Sequence, residues 1–89
     1  MITKEQLKQT IIDVVETNPG VSGVSLALKI MTSYNPAEIN EKEYVEVLDK
    51  LINNGLIYEY FFYIPNKNGI ERRGFFFPRN SIFMGLNMG

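Results

Sequence analysis

Two groups of charged side chains hold whatever chemistry this chain can perform. Glu38, Glu41, Glu43 and Glu46 crowd one short stretch, and Lys67, Arg72, Arg73 and Arg79 follow towards the other end. Clustered carboxylates can hold a hard cation, but such sites need a constrained loop with glycine at its turn, and this stretch has neither. Helix capping and a solvated outer face are their expected roles. Guanidinium groups grip phosphate in bidentate fashion, and cations beside aromatic rings are the usual material of a nucleic-acid surface. Ser22, Ser25, Ser33 and Ser81 have no histidine to activate them, and no glycine-rich phosphate loop is present. The absence of histidine and cysteine removes the commonest general base, the commonest metal ligand and all thiolate chemistry. Neither an enzyme nor a bound cofactor or metal is expected.

A chain of 89 residues, 45% of them hydrophobic, is long enough for one core and too short for two. A single domain over 1–89 is expected, with its core within 3–77. The lack of cysteine fits a reducing compartment. No apolar run approaches the roughly 20 residues that span a bilayer, and the N-terminus lacks a signal-peptide core. A cytoplasmic protein is therefore expected, or a nuclear one in a eukaryotic host. The formal net charge of -1 hides an uneven distribution. Glu38, Glu41, Glu43, Glu46 and Asp49 against Lys42 and Lys50 leave residues 38–55 at -3. Lys67, Arg72, Arg73 and Arg79 against Glu59 and Glu71 leave residues 56–89 at +2.

The elements that position these groups follow from periodicity and punctuation. Thr3 and Gln6 have capping-box spacing, and Leu7, Ile11, Val14 and Val15 recur at helical period, predicting a first helix that Asn18-Pro19-Gly20 ends. Val21 is then a very short strand or pinned segment. Ser22 and Ser25 are alternative caps for a second helix ending near Thr32 or Ser33, with Val24, Ala27, Leu28 and Met31 as its buried stripe. A loop follows, in which Tyr34 and Asn35 are expected to be exposed. Asn40 and Glu43 form a second capping box, opening a third helix with apolar residues at 44, 45, 47, 48, 51 and 52. Gly55 stops it. Leu56–Ile64 and Ile70–Phe77 are aromatic and β-branched, and the Asn68-Gly69 pair between them predicts a hairpin. Along it Tyr58, Tyr60 and Phe62 point one way while Ile57, Phe61 and Tyr63 point the other. A protein this small covers one face of a hairpin, so some rings are expected to remain exposed or to be covered by a partner. Ile82, Phe83, Met84, Leu86 and Met88 make a docked tail over 78–89 the expected ending.

Helix, short strand, helix, helix and hairpin in this order resemble the winged helix-turn-helix family. The most specific stretch is Val47-Leu48-Asp49-Lys50-Leu51-Ile52-Asn53-Asn54-Gly55-Leu56-Ile57, which is similar to the family's junction of third helix and wing. Pro19-Gly20-Val21-Ser22 resembles its entry into the second helix. The resemblance implies an α+β fold, three helices followed by a β-hairpin wing. In DNA-binding members the third helix enters the major groove, which by position assigns Asn40, Lys42, Glu43, Glu46, Asp49 and Lys50 to the groove. Three outward carboxylates there oppose the phosphate attraction that normally supplies most of the affinity.

Two functional expectations result. The first is a DNA-binding transcriptional regulator, a homodimer contacting nucleic acid through Lys29, Lys42, Lys50, Asn66, Lys67, Asn68, Arg72 and Arg73. The second is a protein-interaction module, a complex subunit or a virus-type inhibitor or adaptor. It docks through Glu43 and Glu46 of the acidic helix or through Tyr60, Phe62 and Phe75, with Phe83 and Met84 of the tail contributing. The family's usual use places DNA first, whereas the charge distribution favours a protein partner.

Overall fold

The computed structural model describes residues 2–79. Its elements are α1 (Lys4–Thr17), β1 (Val21–Ser22), α2 (Gly23–Ser33), a 3-10 turn over Pro36–Glu38, α3 (Glu41–Asn53), β2 (Ile57–Asn66) and β3 (Gly69–Pro78). The strands form one antiparallel sheet in the order β1-β3-β2. This is an α+β arrangement with a winged-helix-like layout, three helices followed by a long hairpin. The expected tail, with Phe83 and Met84, lies outside the described residues apart from its first two positions.

Local chemistry places most boundaries. The Thr3 hydroxyl accepts from the Gln6 N–H at 3.0 Å while the Gln6 side chain accepts from the Thr3 N–H at 2.8 Å, so the first capping box is complete. Gly20, at φ 86°, turns the chain after α1, and its N–H donates to the Phe76 carbonyl at 2.8 Å. Ser22 rather than Ser25 caps α2, accepting from the Ser25 N–H. Asn40 caps α3 by accepting from the Lys42 N–H at 2.8 Å, while no reciprocal bond from Glu43 completes the expected box. Gly55 closes α3 at φ 72°. Its N–H donates to the Ile52 carbonyl and the Leu56 N–H to that of Leu51, which satisfies the last helical acceptors in a Schellman arrangement.

Leu7, Ile11 and Val15 of α1 meet Tyr44, Val47 and Leu51 of α3, and Leu26 and Ile30 of α2, above Val21, Ile57 and Phe76 of the sheet. Only the base of the hairpin takes part, so β2 and β3 run on past the helices. At roughly 3.3 Å per residue a ten-residue strand is about 33 Å long. Lys67 and Asn68 form the turn, Asn66 accepts from the Asn68 N–H at 2.8 Å, and Gly69 opens β3 at φ 126°. The strands are therefore longer than the sequence predicts, because the Asn-Gly pair straddles the end of the turn instead of forming its centre.

Two further sequence expectations fail. In α2 the buried residues are Leu26 and Ile30, while Val24 and Leu28 are 73% and 60% exposed. α2 is apolar over more than half of its circumference, with Ser25, Lys29, Thr32 and Ser33 on the rest, so two stripes have helical period. The pairing of β1 with β3 starts the helix immediately at Gly23 and turns the 26/30 stripe inward. Tyr34 is half-buried instead of exposed, because its hydroxyl reaches back to hydrogen-bond that of Thr10 on α1. The inward orientation of α2 yields a direct test: Leu26→Ala is expected to lower unfolding free energy by about 2–5 kcal/mol in urea titrations. Leu28→Ala should change it by less than about 0.5 kcal/mol. Equal losses at both positions would contradict this packing.

Candidate contact surfaces of the hairpin and third helix

Antiparallel register decides which side chains share a face. Tyr58 lies opposite Phe77, Tyr60 opposite Phe75 and Phe62 opposite Arg73, so these residues stand on one face of the hairpin. Ile57 opposite Pro78, Glu59 opposite Phe76, Phe61 opposite Gly74 and Tyr63 opposite Arg72 stand on the other. The second face is the inner one. Its base, Ile57 and Phe76, is buried in the core, and just beyond it Glu59 lies near enough to Asp49 of α3 to feel its charge, at the inner angle between hairpin and helix.

The outer face is aromatic along most of its length. Tyr60 meets Phe77 edge to face at 5.7 Å between centroids, and Phe62 meets Phe75 in the same manner at 5.2 Å. These are diagonal pairs across the two strands. They stiffen the arm without burying it, for Tyr60 remains 43% and Phe62 54% exposed. Three residues expected to bind a partner, Tyr60, Phe62 and Phe75, are thus brought together. The face ends towards the tip in one ion pair, Arg73 Nε to Glu71 Oε1 at 3.2 Å. Val24 and Leu28 form a separate apolar stripe on α2, which sequence reasoning placed in the core.

The cleft between α3 and the inner face has a different character. Arg72 stacks its guanidinium on the Phe61 ring, 3.6 Å from the centroid. Glu59 lies over Gly74, whose absent side chain makes room for the carboxylate. Burial pushes the Glu59 carboxyl above its ordinary value, Arg72 pulls it down, and the nearby Asp49 charge raises it again. Desolvation also pushes the Tyr44 phenol up to about 12, as expected for a ring at the core edge. Sequence reasoning missed Glu59, although a lone charge between Tyr58 and Tyr60 in an apolar strand marks it.

The basic candidates do not converge. Arg72 and Arg73 project from opposite faces, one on an aromatic ring and the other on Glu71. Lys29 is exposed on α2, beside Ser22, Ser25 and the edge of Phe75. Lys42 and Lys50 lie on α3 among exposed Glu41, Glu46 and Asp49, while Glu43 is half-buried. Lys50 also borders a crevice between α1 and α3 in which Lys4 and Lys8 are balanced by Glu5 and Glu46. Asn66, Lys67 and Asn68 are exposed at the tip, and Lys67 is the tip's one cation. Among the described residues no helix is long and apolar enough to cross a membrane. No protein-family model, curated protein or solved structure matches the chain.

The position of Glu59 generates a pH test. A carboxyl raised in the folded state is favoured protonated, so its contribution is fully present below the unfolded value near 4.3 and is lost as pH rises through the folded value. Glu59→Gln should therefore raise the melting temperature at pH 7 and leave it unchanged near pH 3, where Glu59 is already neutral. A variant less stable than the parent at pH 7 would show that the Arg72 attraction outweighs desolvation.

Proposed function

We propose that this chain is a winged-helix protein whose hairpin serves as a protein-docking arm, making it an interaction module rather than a reader of DNA sequence. The observation that carries this reading is the outer face itself: Tyr58, Tyr60, Phe62, Phe75 and Phe77 lie side by side outside the core. Aromatic rings give a large contact area at low entropic cost and dominate the energetic centres of protein interfaces. The place where DNA would sit in a winged helix is, by contrast, poorly furnished for it. Asp49 and Glu59 face the cleft, Glu46 projects from the same helix, and the arginine present there is committed to Phe61. A duplex carries one negative charge per roughly 1.7 Å, so these carboxylates oppose its approach.

The placement of three lysines favours the alternative of a DNA-binding regulator. Lys42 and Lys50 are exposed on α3, and Lys67 sits at the end of an arm long enough to reach a neighbouring groove. Duplex binding separates the two readings. Fluorescence anisotropy with random-sequence duplex at low salt is expected to show no saturable binding, and Arg72→Ala with Arg73→Ala is expected to change nothing. Binding that weakens steeply with added salt and is lost in that double variant would overturn the docking reading and establish the nucleic-acid one.

A further inference from the structure

We infer that the partner seated on the outer hairpin face is a second copy of this chain, packed face to face across a two-fold axis. This rests on the docking reading above and adds the identity of the partner. A two-fold interface uses the same patch on both subunits, so the patch must complement itself in charge and shape. The outer face meets the charge requirement. The charged residues that β2 and β3 place on it are Glu71 and Arg73, already paired with each other, so the strands of two copies meet without net repulsion. In an antiparallel approach each pair can also exchange partners with its counterpart. A cationic protein would be drawn instead to the acidic surface of α3, and a nucleic acid would find beside this face a single exposed cation, Lys29 at its α2 edge.

The exposed area matches a weak dimer. Aromatic side chains present 150–250 Å² each, so rings left roughly half exposed still offer roughly 80–100 Å² apiece. Tyr58 at 38%, Tyr60 at 43% and Phe62 at 54%, with Ile64 at 38% and the half-buried Phe75 and Phe77, supply on the order of 450 Å² per copy. Two copies then bury on the order of 900 Å², just above the range of incidental contacts and below that of tight complexes. Two aromatic sheet faces about 10 Å apart can interdigitate as the layers of a β-sandwich do.

Light scattering and sedimentation equilibrium of the full chain from about 5 to about 500 µM are expected to follow a monomer passing into a dimer with a dissociation constant in the micromolar range. Phe62→Glu places two like charges in the interface and should leave the protein monomeric throughout. Because Phe62 is outside the core, the variant should still melt cooperatively at low concentration, lowered by no more than the loss of its edge-to-face pair with Phe75. Arg73→Glu should weaken association at least tenfold, and the exchange Glu71→Arg with Arg73→Glu should restore it. A parent monomeric at the highest concentration, or a dimer that Phe62→Glu leaves intact, would overturn the inference. Either result leaves docking of a different protein standing, whereas the salt-sensitive duplex binding described above would remove the docking reading itself.

Discussion

Phe76 lies in the central strand of the sheet, paired with Val21 on one side and Glu59 on the other, and its ring is buried against the helices. Its carbonyl accepts from the Gly20 N–H, and its ring lies 3.6 Å from where a side chain on Gly23 would stand. This anchorage ties the end of α1, the start of α2 and the base of the hairpin to one point. It also fixes parity. Once Phe76 points inward, Phe75 and Phe77 must point outward, and register carries Tyr58, Tyr60 and Phe62 with them. The aromatic outer face follows from burying one phenylalanine in a protein with a single helical layer.

The same parity separates the two kinds of surface on the arm. Inward, beyond the core, it places Glu59 near Asp49 of α3, followed by Phe61 with Arg72 stacked on it. Outward, it places rings and one internally neutral ion pair. A charge in the cleft is held near low-dielectric protein and a like charge on Asp49, which explains the upward displacement of the Glu59 carboxyl. The cations that make the hairpin basic are distributed between the faces, so net charge overstates what any one ligand would meet. Electrostatics therefore restrain a polyanion in the cleft, while hydrophobic area drives association on the outer face.

Much of this architecture was legible in residue order because the controlling features are local. The Thr3/Gln6 box, the Asn18-Pro19-Gly20 stop and the positive-φ glycine after α3 are short-range geometric requirements, and each appears where the sequence predicts it. The assignment of Tyr58, Tyr60 and Phe62 to one face and Ile57, Phe61 and Tyr63 to the other also needs only a period of two. What was not legible depends on distant partners. The inner side of α2 is chosen by the β1–β3 pairing, and Tyr34 is drawn in by Thr10 on another helix. For the site, residue types revealed Tyr60, Phe62 and Phe75, but only register showed that Arg72 and Arg73 part company.

Hydroxyl-radical footprinting read by mass spectrometry, run on dilute and concentrated protein, tests the role of the outer face most directly because it reports side chains one by one. With rising concentration, labelling of Tyr58, Tyr60, Phe62 and Phe75 should fall together, while Tyr63 on the inner face and Leu28 on α2 should be labelled as before. Protection of Tyr63 and of α3 with the outer rings unchanged would contradict the account and move the contact surface to the cleft.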